Sequence, residues 1–128
     1  MKILGIDYGR AKIGLATADG PLAEPHSVVR VNSMEDAVEK VSQVAHVSQV
    51  SQVVVGVSEG LMGKEQEKFA KLLKEKTGIN VVVWDETLST QDAQMLSIQS
   101  GQGQKKRADM EDAFAAALVL QSYIDSQL

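Results

Sequence analysis

Residues Lys2–Ala16 read KILGIDYGRAKIGLA. Two apolar runs, Ile3 to Asp7 and Ile13 to Ala18, flank a turn that contains Gly9, a pattern that predicts a β-hairpin. The first run ends on a carboxylate, Asp7, at the junction of strand and turn. An acid in that place either accepts hydrogen bonds in the turn or is displayed there for chemistry. The choice between the two depends on which other residues the fold delivers to the same spot.

Working outward from the hairpin, Gly20, Pro21 and Pro25 punctuate the chain before Val28, Val29 and Val31 suggest a third strand. Three early strands in sequence predict an antiparallel sheet section. Asn32 or Ser33 is placed to cap a helix in which Glu35 and Asp36 suit the positive end of the dipole, and Ala37, Val38, Val41, Val44 and Ala45 follow helical spacing. Val53 to Val57 is a continuous apolar strand, a helix is expected from Lys64 to Lys76 with Gly78 as its stop, and Asn80 to Trp84 is another strand. Strand, helix and strand at this spacing predict a parallel βαβ unit. A further helix is expected near Gln91 to Ile98. Ser100 to Arg107 is polar without apolar anchors and reads as a loop. The last helix is expected over Met110 to Ser126, with Phe114, Leu118, Gln121 and Ile124 near one stripe and Ala115, Ala116 and Ala117 allowing a close approach to the sheet.

The 128 residues suit one domain, spanning 1–128, with a single core. Apolar residues make up 44% and charged residues 23%, a globular composition rather than a disordered one. The net charge of −4 excludes a global basic field, so any polyanion must be met by a local patch. Cysteine is absent and histidine occurs only as His26 and His46, so a metal would have to be held by carboxylates. No leader pattern and no membrane-length apolar run is present, and the expected setting is the cytoplasm.

Three acids occupy special places: Asp7 at the end of the first strand, Glu86 after the strand ending at Trp84, and Asp112 in the expected first turn of the last helix. Each has an ordinary explanation as a turn acceptor or a helix-terminus acid. Brought together, they would repel one another unless a cation neutralised them, and hard oxygen donors select Mg²⁺ or Mn²⁺. Such a cluster suits phosphodiester hydrolysis, in which two ions about 3.5–4 Å apart stabilise the attacking and leaving oxygens. Asp109 is read as a helix cap, Asp85 as pointing away from Glu86, and His26 as structural. Arg10 and Lys12 in the hairpin, with Lys105, Lys106 and Arg107 before Asp112, are the cations available to a nucleic-acid backbone. The bland alternative for these cations is ordinary solvated charge.

GIDYG followed by IGLA, then WDETLST at Trp84–Thr90, then DAFAAALVLQSYID at Asp112–Asp125, stand in one order along nearly the whole chain. In these motifs the chain resembles the Holliday-junction-resolvase-like family known as YqgF or RuvX, pre-16S ribosomal RNA nucleases of RNase H-like fold. The resemblance implies an α/β fold with a central five-stranded mixed sheet, three strands antiparallel and then two parallel, flanked by helices. It also implies that Asp7, Glu86 and Asp112 form a metal-binding acidic site acting on structured RNA or branched DNA, with rRNA maturation as the role. The chain departs from the family pattern at Lys12 and Thr87, where Arg is usual, and in GVSEGLMG (Gly56–Gly63), where a loop like GLPLNMDG is usual. Thr87 lacks the bidentate phosphate donor that Arg supplies.

Two other functions fit parts of this pattern. GIDYG also looks like the phosphate-binding hairpin of actin-like ATPases, although those need a second domain or a dimer to build their cleft. A nucleic-acid-binding or ribosome- or transcription-associated factor with little turnover would keep the fold and explain Thr87 and the altered loop. Monomer and homodimer both remain open.

Overall fold

The strand that carries Asp7 lies at the centre of the sheet. A computed structural model describes residues 1–85 and 104–127, with the side chains of residues 1–85 and 110–127. β1 (Ile3–Asp7) pairs antiparallel with β2 (Lys12–Ala18) on one side and parallel with β4 (Gln52–Val57) on the other. β3 (Ala23–Arg30) adds antiparallel to β2, and β5 (Asn80–Asp85) adds parallel to β4. The order is β3-β2-β1-β4-β5, the expected three antiparallel strands followed by two parallel ones.

Side-chain alternation sends successive residues of each strand to opposite faces. Leu4, Ile6, Ile13, Leu15, Val53 and Val55 pack with α1 (Met34–Val47) and α2 (Gly60–Thr77). Ala16, Ala18 and Val54 pack with α3 (Gln104–Ser126) on the other face, against Ala116, Ala117, Leu120 and Ile124. The buried line of α3 thus runs closer to Leu120 than the expected stripe, which included the half-buried Leu118 and Gln121. Small residues bring the helix very close: a Cβ on Gly5 would lie 2.7 Å from Leu120 Cβ and 3.1 Å from the Ala116 carbonyl oxygen.

Ser33 is the N-cap of α1, its hydroxyl accepting from the Asp36 N–H at 3.0 Å. Gly78, at φ 72°, ends α2 in the left-handed conformation that glycine adopts without strain.

Several boundaries differ from the sequence reading. α3 begins at Gln104, so residues 104–107 are helical rather than part of a loop. Gln, Lys, Arg and Ala are strong helix formers, and without apolar residues they show no periodicity to reveal it. Asp112 therefore stands in the third turn of its helix instead of the first, and Asp109 lies inside the helix rather than capping it. α2 begins at Gly60, leaving only Ser58 and Glu59 between it and β4. β3 begins at Ala23 and runs through Pro25, which an edge strand tolerates. The expected helix near Gln91 to Ile98 lies outside the described residues. Among the described residues no helix is long and apolar enough to cross a membrane.

Candidate active site

The carboxyl ends of β1, β4 and β5 share one edge of the sheet. Asp7 is in register with Gly56 of β4, and Gly56 with Trp84 of β5. On its other side Asp7 stands opposite Gly14 of β2. Asp7 has the same alternation as Gly5, whose missing side chain faces Leu120, so it belongs to the α3 face.

Gly14 brings Asp112 to this place. A Cβ on Gly14 would lie 1.8 Å from the Asp112 carbonyl oxygen and 2.8 Å from the Ala113 nitrogen, so α3 rests its backbone on a position that only glycine can occupy. Two of the three expected acids thus reach one face of one edge: Asp7 through its strand and Asp112 through the helix laid over Asp7's register partner. The Asp112 carboxylate is partly exposed, and Lys12 Nζ lies 3.3 Å from its Oδ2. Farther along, α3 is tied to the sheet by polar contacts. Trp84 Nε1 donates to Ser122 Oγ at 3.0 Å, Gln52 Nε2 donates to the Tyr123 hydroxyl at 2.7 Å, and the Ala23 N–H donates to Gln121 Oε1 at 2.8 Å.

On the opposite face, α2 grips the turn that follows Asp7. Gln66 is 1% exposed; its Nε2 donates to the Tyr8 carbonyl at 3.3 Å, and its Oε1 accepts from the Ser58 N–H at 2.7 Å and from the Ser58 hydroxyl at 3.2 Å. One amide therefore joins the residue after β1 to the residue after β4. Phe69 stacks on Tyr8 with ring centroids 4.8 Å apart, and Glu65 holds Arg10 through Nε at 3.0 Å. Burial, followed by the nearby Glu65 carboxylate, raises the Tyr8 pKa above the ordinary tyrosine range, with Arg10 opposing. Gly63 makes the close approach feasible, since a Cβ there would lie 1.9 Å from the Ser58 carbonyl oxygen.

Gln66 was not among the expected site residues. Its signal was present: Met62, Gln66, Phe69 and Leu73 follow one helical stripe, and the single polar member of a core stripe requires partners. Arg10 and Lys12, expected together, are divided, with Arg10 paired to α2 on one face and Lys12 to α3 on the other. Lys105, Lys106 and Arg107 belong to the first two turns of α3, and their side chains lie outside the described residues. Glu86 and Thr87 also lie outside them; β5, which leads to Glu86, ends at Asp85 on the same edge as Asp7. Asp85 shares the alternation of Val81, which packs on the α1/α2 side. His26 is an extra residue in the β2–β3 ladder.

Among the described residues no three acids or histidines form a metal-binding group. Asp7 and Asp112 are oxygen donors on one rigid edge, and with cysteine absent this donor set fits Mg²⁺ or Mn²⁺ rather than a softer metal.

A family model described as RuvX, Holliday junction resolvase, matches residues 1–126. A Syntrophus aciditrophicus protein named "Putative pre-16S rRNA nuclease" is 35% identical over 134 residues, covering 98% of this chain and 89% of that protein. A Thermoanaerobacter pseudethanolicus protein of the same name is 32% identical, covering 99% of this chain and 98% of that protein. Among solved structures, the Fowlpox virus resolvase in complex with substrate Holliday junction DNA aligns with a TM-score of 0.67 at 16% identity, covering 100% of this chain and 99% of that one. The sheet order and this likeness give the chain the RNase H-like fold of RuvC-like resolvases.

Proposed function

Because the chain belongs to the RuvX family of Holliday junction resolvase-like proteins, we infer that it is a metal-dependent nuclease that hydrolyses phosphodiester bonds in structured nucleic acid. The observation that carries this reading is the delivery of Asp7 and Asp112 to one face of one sheet edge, by strand register and by the Gly14 contact. The names of its relatives favour pre-16S rRNA as the substrate and the cytoplasm as the setting. Branched DNA, named by the family description, is the second substrate to test.

In this reading Asp7, Glu86 and Asp112 hold Mg²⁺ or Mn²⁺, which when bound lowers the pKa of water and stabilises the departing oxygen. The chain itself supplies geometry. β1 fixes Asp7 on the central strand, and Gly14 sets the depth of α3 and with it Asp112. Gln66 holds the Tyr8 carbonyl and so restrains the backbone beside Asp7. Lys105, Lys106 and Arg107 precede Asp112 by five to seven positions on one helix, roughly 8–11 Å along its axis. They are suited to grip phosphates flanking the cleaved bond, and exposed Arg10 is suited to a more distant one.

The test is cleavage by purified protein, with Mg²⁺ or Mn²⁺, of a structured RNA that includes a 16S precursor end and of a four-way DNA junction. Asp7→Asn is expected to abolish cleavage while the circular dichroism spectrum is kept. Equal cleavage by that variant would overturn the site, and binding of both substrates without cleavage would overturn the enzymatic reading.

A further inference from the structure

Asp112 has a partner that metal binding alone does not require. Lys12 Nζ stands 3.3 Å from Asp112 Oδ2. Lys12 opens β2 two residues before Gly14, so strand alternation puts both on the α3 face, and Gly14 is the position on which the Asp112 backbone rests. Both ends of the ion pair are therefore carried by regular elements in fixed contact. The pair is half open to water, with Lys12 46% and Asp112 30% exposed, so a small hydrated cation can reach the carboxylate.

We propose that Lys12 is a built-in counter-cation of the acidic site, its ammonium occupying Asp112 until a divalent ion competes for the same carboxylate. This rests on the reading of Asp7 and Asp112 as metal ligands. Without metal, an ammonium at this distance offsets the charge of Asp112 and draws its carboxylate toward β2. When a divalent ion arrives, the ammonium becomes a like charge beside it, and the affinity for the ion falls. Lys12 thus sets the metal concentration at which the site fills, acting through Asp112 as a positioning residue.

The experiment is Mn²⁺ titration by calorimetry and by the electron paramagnetic resonance of free Mn²⁺, without nucleic acid, on the full chain and its Lys12→Met, Lys12→Arg and Asp7→Asn variants. Lys12→Met is expected to bind Mn²⁺ at least about fivefold more tightly, the factor for two unit charges about 4 Å apart in water and so a lower bound for a doubly charged ion. Lys12→Arg, which keeps the charge, is expected to stay near the parent affinity. Unchanged or weaker binding by Lys12→Met, with binding lost in Asp7→Asn, would overturn the role of Lys12 alone. Parent-like binding by Asp7→Asn would overturn the acidic site and this proposal with it.

Discussion

The two faces of the sheet are built by different rules. Toward α1 and α2 the strands present Leu4, Ile6, Ile13, Leu15, Val53 and Val55, and the helices answer with Phe69, Leu73, Val41 and Ala45. Toward α3, β1 and β2 present Gly5, Gly14, Ala16 and Ala18, with Ile3, Val54 and Trp84 farther along the same face, and the helix answers with Ala116, Ala117 and Leu120. The first face gains stability from buried apolar area, which grows with side-chain size. The second has less of it to bury and gains position instead, because a helix resting on glycine backbone has its depth set by hard contact. Asp112 and the Asp7 alternation both belong to this second face. The small-residue stretch of β1 and β2 on the α3 face therefore carries Asp7 and seats Asp112, the proposed metal ligands, where the proposed chemistry would be most sensitive to small displacements.

This contrast can be broken or sharpened by substitution. Phe69→Ala is expected to have the largest effect, a loss of about 3–5 kcal/mol in urea denaturation, since a fully buried ring that stacks on Tyr8 is removed. The molecules that remain folded should still bind Mn²⁺; loss of binding in proportion to more than the unfolded fraction would show that the two faces are not separable. Gly14→Ala should cost about 1–3 kcal/mol, because the added methyl meets backbone that has no rotamer to yield. Its cleavage should fall far beyond the loss of folded protein, and a fully active, stable variant would refute the role given to this contact. Gln66→Leu should cost about 2 kcal/mol by stranding the Ser58 N–H and the Tyr8 carbonyl, read as a lower urea midpoint.

The smallest effect lies far from the acids. Lys40, donating at 3.1 Å, holds the Asp36 carboxyl below its usual range, helped by the Asn32 N–H. A depressed folded pKa contributes stability above the unfolded value near 3.8 and loses it as the pH falls through the folded one. Asp36→Asn should therefore flatten the acid limb of a stability-against-pH curve below about pH 4. An unchanged limb would mean that the pair has no energetic part in α1.

The hairpin, the third strand and the parallel βαβ unit were legible in the sequence because the turn glycines, the helix length and the continuous apolar runs agree with them. The five-stranded mixed sheet that joins them was implied by the family resemblance, and the place of β1 between β2 and β4 came from the structure. Asp7 was legible as an unusual acid for the same reason, since it interrupts an otherwise uniform pattern. The start of α3 was not, because propensity without periodicity looks like a loop when only periodicity is sought. The separation of Arg10 from Lys12 was also hidden: residues two apart in a hairpin leave in different directions only once each finds its partner, and Glu65 and Asp112 are more than fifty positions away. Gln66 could have been found by asking where the one amide in an apolar stripe sends its hydrogen bonds.

The irregularity between β2 and β3 has a consequence for the molecule among its neighbours. Leu15 faces Ser27 but Ala16 faces Pro25, so His26 is squeezed into the ladder on the outermost strand. The bulge bends that strand, and Pro25 brings no amide hydrogen to it. An incoming strand therefore meets a broken rhythm of donors and acceptors instead of a ruled template, and the open rim of the sheet resists zippering onto another chain in the crowded cell.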